Sequence, residues 1–212
     1  MKYIVLITGL FFFSCQTQGN NSDNTKKAAA EQVNYQKLDT ATFAGGCFWC
    51  IEASFEQIKG VAEAVSGYAG GKKSTADYRL VSSGRTGHAE AVQVYYDPSV
   101  IDYETLLEIF FTAHDPTQLN RQGPDVGPQY RSEIFYHNEK QKSLAEAKMK
   151  ELAPEFSDPI VTKLSKLDAF YVAEEYHQDY EEKHPDNSYI VNVSRPKIEK
   201  VAKKFKDRLK NK

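Results

Sequence analysis

Two cysteines three positions apart, Cys47 and Cys50, follow a pair of glycines and offer the clearest chemistry in this sequence. Apolar side chains recur around them at the spacing of one helical face, at Phe48, Ile51, Phe55 and Ile58. This period predicts a helix that begins at or just before Cys47 and stops near Gly60. Because unpaired N–H groups and the positive end of the helix dipole favour a thiolate, we expect a lowered pKa and a nucleophilic Cys47. Cys50 lies one turn away, close enough to form a disulfide with Cys47.

Three other interpretations of the cysteine pair stay open at this point. A zinc site would need more ligands, and the chain has only one further cysteine, Cys15, and no histidine pair at zinc-finger spacing. A thioredoxin-like redox motif is disfavoured because Phe48 and Trp49 are bulky for a surface that must dock partner disulfides. The two cysteines can also be buried structural residues.

Residues 88–96 alternate as a half-buried strand does, and the alternation places an acid among apolar side chains. One face carries Glu90, Val92, Val94 and Tyr96, and the other carries Ala89, Ala91, Gln93 and Tyr95. Burial raises the pKa of a carboxyl group, so Glu90 on this face would stay protonated near neutral pH and could deliver a proton. The alternative, a glutamate of an edge strand that points to water, describes most glutamates and stays open.

The rest of the pattern indicates strands and helices in mixed order, which predicts an α+β fold. We expect strands over residues 37–43, 61–66, 132–137 and 160–167, helices over residues 75–82 and 139–152, a helix capped by Asp102, and a C-terminal helix marked by Ile198, Val201, Phe205 and Leu209. The glycine-rich residues 67–73 and the proline- and glycine-rich residues 115–130 read as loops, and the length of the second is typical of a functional loop.

Residues 171–184 are crowded with Tyr, His, Glu and Asp and predict a polar surface segment. Metal binding by His177 and His184 lacks a third obvious ligand, so we expect no metal there.

The composition fits one globular domain with tails. The chain has 212 residues, 41% of them hydrophobic, and a formal net charge of -2. That charge leaves no basic field for nucleic acid, and the lysine-rich residues 197–212 read as a solvated helix face. We expect a monomer.

The N-terminus carries a short charged start and an apolar run over residues 4–13, which is too short to span a bilayer as a helix. The run ends at Ser14 and Cys15, and residues 1–15 resemble a bacterial lipoprotein signal whose cysteine becomes the lipidated N-terminus. Phe12 stands where leucine is usual, which leaves simple secretion or retention as the alternative. Residues 16–36 are polar and predict a flexible tether, and residues 37–212 form the folded domain. We therefore expect an exported, membrane-anchored protein that faces the periplasm or the cell exterior.

The chain from about residue 40 to 192 resembles the A-type peptide methionine sulfoxide reductase family, whose signature Gly-Cys-Phe-Trp stands at residues 46–49. Seven further motifs follow in the order of that family: Gly67-Tyr68-Ala69-Gly70-Gly71, Tyr78-Arg79, Gly87-His88-Ala89-Glu90-Ala91-Val92, Tyr95-Tyr96-Asp97-Pro98, His114-Asp115-Pro116-Thr117, Gln122-Gly123-Pro124-Asp125-Val126-Gly127 and Gln129-Tyr130-Arg131-Ser132. Each motif alone is weak, but their shared order is specific.

The resemblance implies a two-layer α/β sandwich related to the ferredoxin-like arrangement, and a reductase of methionine-S-sulfoxide, free or in proteins. It implies that Cys47 attacks as a thiolate and becomes a sulfenic acid, and that Cys50 resolves this acid as a disulfide, which thioredoxin reduces. It implies that Glu90 is the acid and that no metal or organic cofactor is needed. The other positions that match the active site of the family are Tyr78 and Tyr130 for the sulfoxide oxygen, Asp125 as a further polar residue, and Phe48 and Trp49 as an aromatic wall for the S-methyl group.

Two other functions stay open from the sequence. A disulfide oxidoreductase would not need Glu90, and a non-enzymatic lipoprotein binding module would turn over no sulfoxide. As alternatives to the aromatic wall, Phe48 and Trp49 can be core residues.

Overall fold

The computed structural model describes residues 35–211. Within this range lie eight strands: β1 (Asp39–Gly45), β2 (Val61–Ala69), β3 (Ala89–Tyr96), β4 (Arg121–Gln122), β5 (Asp125–Val126), β6 (Ser132–Tyr136), β7 (Lys163–Lys166) and β8 (Phe170–Val172). The same range holds six α-helices: α1 (Phe48–Glu56), α2 (Tyr78–Val81), α3 (Tyr103–Ala113), α4 (Glu139–Leu152), α5 (Tyr180–Lys183) and α6 (Arg195–Lys204).

Six of these strands form one mixed sheet in the order β7-β6-β1-β3-β2-β8. All neighbours are antiparallel except β6 and β7, which are parallel. The inner strands β1, β2, β3 and β6, with α1 after β1 and α3 after β3, have the order of a ferredoxin-like β-α-β-β-α-β unit. The α+β prediction and the implied ferredoxin-like relation are therefore confirmed.

The main core lies between the sheet and helices α1 and α3. Phe43 of β1 stacks on Phe55 of α1 with ring centroids 5.4 Å apart and on Phe110 of α3 at 5.0 Å. In β3, Val92, Val94 and Tyr96 belong to this core, whereas Ala89 and Ala91 pack with Phe135 in a smaller cluster. The two faces predicted for this strand are thus confirmed.

The two positions before α1 require glycine, because neighbouring side chains leave no room for a Cβ atom. A Cβ atom on Gly45 would lie 2.9 Å from the ring of Phe110, and one on Gly46 would lie 2.6 Å from Gln122. Gly46 also has a φ of +97°, a conformation that favours glycine. The tight turn makes Cys47 the N-cap of α1, so the predicted start of the helix is confirmed. The helix ends at Glu56, short of Gly60, because Ile58 turns away to form a β-bridge with Leu209.

Several predicted boundaries are wrong. The glycine-rich loop begins only after Ala69, because β2 keeps pairing with β3 and β8 to that residue. The loop over residues 115–130 contains the β4–β5 hairpin, and the strand predicted over residues 160–167 shrinks to β7. The C-terminal helix ends at Lys204.

The N-terminal predictions fall mostly outside the described residues. The signal at residues 1–15, with Cys15, and the tether up to residue 34 lie there. The end of the tether is a correction: Tyr35–Lys37 form a 3-10 turn, and the ring of Tyr35 packs edge-on against Tyr95, which joins this turn to the domain. Between residues 35 and 211, every helix is too short or too polar to cross a bilayer.

Candidate active site

The first turn of α1 carries both cysteines of the predicted site. Cys47 is 6% exposed and Cys50 is 1% exposed, and both are free thiols. The backbone N–H of Cys50 donates to the carbonyl of Cys47 over 3.2 Å, and the two sulfur atoms share a hydrogen bond. The pair is therefore close, buried and reduced.

Of the two thiols, Cys50 is the one whose ionisation is favoured, which the sequence did not indicate. Burial raises the pKa of the Cys47 thiol, and the hydrogen bond and charge of Cys50 raise it further. The pKa of Cys50 falls to about 7, chiefly because Cys47 donates a hydrogen bond to it and in smaller part because of Lys197 and Ser194. The expected lowering of the Cys47 pKa by the helix dipole is thus wrong for the substrate-free pair, because desolvation outweighs that dipole.

Glu90 of β3 lies against the N-terminus of α1. The backbone N–H of Phe48 donates to Glu90 Oε2 over 3.1 Å, and the residue is 2% exposed. Burial raises the pKa of Glu90 to about 8, with smaller contributions from the charges of Asp125 and Cys50. The carboxyl group is therefore mostly neutral at pH 7, as the strand pattern predicted.

Two tyrosines lie near enough to this carboxyl group for its charge to act on their hydroxyls. Tyr78 is the first residue of α2, and Tyr130 ends a 3-10 turn, Pro128–Tyr130. Burial raises the pKa of Tyr78 to about 12 and moves the pKa of Tyr130 above its usual range, and the charge of Glu90 adds to both shifts. Both hydroxyls therefore keep their protons at neutral pH and can donate hydrogen bonds.

Glu174 fixes the start of α2, a role that the sequence did not indicate. Its Oε1 accepts from the backbone N–H of Tyr78 over 2.9 Å, and its Oε2 accepts from the hydroxyl of Tyr68 over 2.7 Å. Because an acceptor at a helix N-terminus satisfies an otherwise unpaired N–H, Glu174 holds Tyr78 in place.

Tyr189, a second residue that the sequence did not indicate, connects Asp125 to the cysteine pair. The Tyr189 hydroxyl lies within hydrogen-bond reach of both Asp125 Oδ2, at 2.5 Å, and the Cys47 thiol, and its single hydrogen serves one of them at a time. Donated to Cys47, that hydrogen lowers the pKa of the thiol. A phenol in this position stabilises negative charge on the sulfur atom of Cys47.

An aromatic cluster forms the other side of the site. Trp49 stacks on Tyr180 with ring centroids 3.8 Å apart, and its indole N–H donates to His177 Nδ1 over 3.2 Å. His177 is 1% exposed and also contacts the rings of Phe48 and Tyr78. Most of residues 171–184 are exposed or half-buried, as predicted for a polar surface segment. His177 and Tyr180 are the exceptions to this prediction, because they pack on Trp49 in the first turn of α1. Phe48 is itself 1% exposed and belongs to the core, whereas Trp49 stays partly exposed.

The fold thus brings the predicted site residues together and adds three residues that were not predicted. It brings together Cys47, Cys50, Phe48, Trp49, Tyr78, Glu90, Asp125 and Tyr130. It adds His177, Tyr180 and Tyr189 from the C-terminal third of the chain. The crowding of tyrosine and histidine there was the one signal that could have found them. Within residues 35–211, no three His, Cys, Asp or Glu side chains lie close enough to hold a metal ion.

This arrangement suits a small polar group attached to an apolar one. Neutral Glu90 and the two tyrosine hydroxyls offer hydrogen bonds to an oxygen atom, and Trp49 offers an aromatic face. Cys47, at the start of the helix that carries Phe48 and Trp49, supplies a soft nucleophile for sulfur.

Comparisons with known proteins agree with this chemistry. A family model described as peptide methionine sulfoxide reductase matches residues 39–209. The peptide methionine sulfoxide reductase MsrA of Natronomonas pharaonis is 56% identical over 172 residues, which cover 80% of this chain and 97% of that protein.

Solved structures are similar as well. The reduced form of Mxr1 from Saccharomyces cerevisiae aligns with a TM-score of 0.68 and 38% identity, over 72% of this chain and 88% of that one. Mxr1 in complex with Trx2 aligns with a TM-score of 0.50 and 29% identity, over 71% of this chain and 91% of that one. With the family model matched over most of its length and relatives at this identity, the chain belongs to the A-type peptide methionine sulfoxide reductase family, and it is a peptide-methionine (S)-S-oxide reductase.

Proposed function

We propose that this enzyme reduces methionine-S-sulfoxide, free or within proteins, through a sulfenic acid on Cys47 and a disulfide between Cys47 and Cys50. The observation that carries the proposal is the contact between the N-terminus of α1 and Glu90, which places a neutral carboxyl group beside the buried thiol pair. A sulfoxide needs both a soft nucleophile for sulfur and an acid for oxygen, because oxide itself cannot leave.

In the first step the oxygen atom moves from the substrate to Cys47. The proton of the Cys47 thiol passes to Cys50, its hydrogen-bond partner, and Glu90 protonates the oxygen. The bond between substrate sulfur and oxygen breaks, and a bond between Cys47 sulfur and oxygen forms. The substrate sulfur gains two electrons and Cys47 loses two, which gives methionine and a sulfenic acid.

In the second step Cys50 attacks the sulfur of the sulfenic acid. A sulfur–sulfur bond forms and the sulfur–oxygen bond breaks. The hydroxide leaves as water with the proton from Cys50, and Glu90 regains its proton from solvent.

The remaining side chains bind and orient the substrate. The hydroxyls of Tyr78 and Tyr130 donate to the sulfoxide oxygen and stabilise the charge that develops there. Trp49 receives the S-methyl group, since contacts between sulfur groups and ring edges are favourable. His177 holds the Trp49 ring in place, because its Nδ1 accepts a hydrogen bond from the indole N–H.

A thioredoxin or a similar dithiol protein is the proposed reductant of the disulfide. The similarity to Mxr1, which was solved in complex with Trx2, supports this partner. The step is thiol–disulfide exchange and needs no metal or organic cofactor.

The purified chain is expected to convert the S epimer of a peptide methionine sulfoxide to methionine with dithiothreitol or thioredoxin, and to leave the R epimer untouched. Chiral chromatography of the products measures this. Insulin reduction by thioredoxin-free enzyme is the control, because a disulfide oxidoreductase would reduce insulin and a binding module would do neither. Turnover of both epimers at equal rates would contradict the proposal.

We also propose that the mature enzyme is an exported lipoprotein held by a lipid on Cys15, as the residues around it suggest. Cys15→Ala is expected to leave the membrane fraction while keeping wild-type turnover, because Cys15 precedes the domain by many residues. Membrane fractionation and metabolic labelling with a fatty acid measure this. A wild-type chain that is soluble and carries no lipid would refute the anchor.

A further inference from the structure

Cys50 lies against a π-helix that precedes α6. The turn Ile190–Ser194 is π-helical, a rare geometry that is frequent at functional sites. It places Ser194 Oγ 2.9 Å from Cys50 Sγ, and Ser194 is fully buried. The second cysteine therefore has a polar partner of its own.

Lys197 lies in the first turn of α6, three residues after Ser194. Its Nζ is buried and lacks a hydrogen-bond partner among residues 35–211. A buried amino group without a hydrogen-bond partner is costly, so an anion beside it would be stabilising. The positive charge of Lys197 acts on Cys50. The prediction that the lysine-rich C-terminus is only a solvated face is therefore wrong at Lys197.

We infer that Lys197 and Ser194 form an activation site for Cys50, which keeps its sulfur as a thiolate during the resolving step. Ser194 donates its hydroxyl hydrogen to the sulfur, and the Lys197 ammonium compensates its charge. Both are positioning residues, since they act through Cys50 and touch no substrate. The inference rests on the proposed function, in which Cys50 resolves the sulfenic acid.

The other groups that face Cys50 act in both directions. Cys47 lowers the pKa of Cys50 through its hydrogen bond, whereas burial and the charge of Asp125 raise it. Glu90 and Tyr189 also lie within reach of the charge of Cys50, which raises the pKa of each. After the first step Cys47 is a sulfenic acid and no longer the donor thiol, so Lys197 and Ser194 remain as the partners that favour the thiolate.

The chemistry of this step balances without a further reactant. The thiolate of Cys50 attacks the sulfur of the Cys47 sulfenic acid, the sulfur–sulfur bond forms, and the hydroxide leaves with one proton as water. The Cys50 sulfur loses one electron and the Cys47 sulfur gains one, so both reach the oxidation state of a disulfide. A higher thiolate fraction therefore speeds resolution without changing the methionine yield.

The first test uses the full chain with Cys15→Ala and Cys47→Ser, in which Cys50 is the only thiol. Thiolate ultraviolet absorbance is recorded against pH, which needs no access to the buried sulfur and no reductase activity. Lys197→Met is expected to raise the midpoint by about one pH unit. Lys200→Met, an exposed lysine of the same helix, is the matched control and is expected to leave it unchanged. Equal midpoints in the two variants would overturn the inference.

The second test follows the reaction itself with all catalytic cysteines present. Enzyme is mixed with methionine sulfoxide without reductant, and methionine, dimedone-trapped sulfenic acid and disulfide are quantified over time. At pH 6, Lys197→Met is expected to slow methionine formation, because less Cys50 thiolate is present to take up the proton of Cys47, and to slow disulfide formation from the sulfenic acid about fourfold. The yield of methionine per enzyme is expected to stay at the wild-type value, and both rate differences are expected to disappear at high pH, where Cys50 is ionised in both proteins. A merely structural lysine would not give rescue by pH.

Two more variants keep the inference testable if Lys197→Met folds poorly. Lys197→Arg keeps the charge and is expected to keep the midpoint, whereas Ser194→Ala is expected to raise it by less than Lys197→Met. An unchanged midpoint in Ser194→Ala would remove Ser194 from the site. If the wild type formed no methionine, the proposed function would be refuted instead. The absorbance measurement would still test the effect of Lys197 and Ser194 on Cys50, because it needs no reductase activity.

Discussion

Cys47→Ser is expected to abolish methionine formation, by more than about 10⁴-fold, because a serine hydroxyl is a poor nucleophile for sulfur and cannot take up the oxygen atom as a sulfenic acid. Cys50→Ser, by contrast, is expected to form about one equivalent of methionine per enzyme and then to stop with thioredoxin as reductant. The oxygen transfer precedes resolution, so only the second step is lost.

Rapid quench with chromatography of methionine measures both variants, and dimedone labelling with mass spectrometry measures the trapped acid. Cys50→Ser is expected to carry dimedone on Cys47, whereas the wild type loses both thiols and gains the mass of a disulfide. Small thiols can restore turnover in Cys50→Ser by attacking the sulfenic acid directly. Cys15→Ala is the control for cysteine substitution as such. Thioredoxin-driven turnover of Cys50→Ser at the wild-type rate would make Cys50 a structural residue.

Loss of Cys50 also tests the first step. Its sulfur takes up the proton of Cys47 in the proposed mechanism, so the burst in Cys50→Ser is expected to be slower below pH 8 than in the wild type, as Cys47 must then lose its proton to solvent. The raised pKa of Cys47 is the reason.

The parts of the fold that the sequence predicts are those set by local pattern. The alternation over residues 88–96 is enough to place Glu90 on a buried face, and the helical period after Cys47 is enough to place the nucleophile at a helix start. Both depend on side chains within one element, where the periods of 2 and 3.6 residues hold. The ferredoxin-like order, in contrast, depends on which strands pair, and the family resemblance supplied it.

The parts that the sequence does not predict are contacts between distant segments. His177, Tyr189 and Lys197 reach the cysteine helix from the C-terminal third, over separations that no periodicity encodes. The same is true of charge: the pattern suggests a helix-dipole effect on Cys47, but the sign of its pKa shift is decided by burial and by Cys50. Electrostatics of a buried pair follow from packing, which becomes visible only in three dimensions.

Glu90→Gln is expected to lower the rate of methionine formation by about 10²- to 10⁴-fold, because the amide keeps the shape of the side chain but has no proton to give. In the wild type the single-turnover rate should fall as the pH rises through about 8, where Glu90 loses its proton. In Glu90→Gln that fall should be absent. Stopped-flow measurement of methionine formation between pH 6 and pH 9 gives both results. Glu104→Gln, an exposed residue in the first turn of α3, is the matched control and is expected to behave as the wild type does.

The same substitution makes a prediction about stability whose sign follows from the pKa of Glu90. The carboxyl group titrates near its ordinary value in the unfolded chain and near pH 8 in the folded one, so between these two values the folded state binds more protons. Wild-type stability therefore falls as the pH rises through this window, by about 1.4 kcal/mol per pH unit from this group, and the loss levels off above pH 8. Glu90→Gln lacks this slope, so its free energy of unfolding relative to the wild type should grow from pH 5 to pH 8 and then stay constant. Urea unfolding at four pH values measures it. A difference that does not change with pH, or wild-type turnover in Glu90→Gln at pH 7, would show that Glu90 is ionised in the folded enzyme and is not its acid.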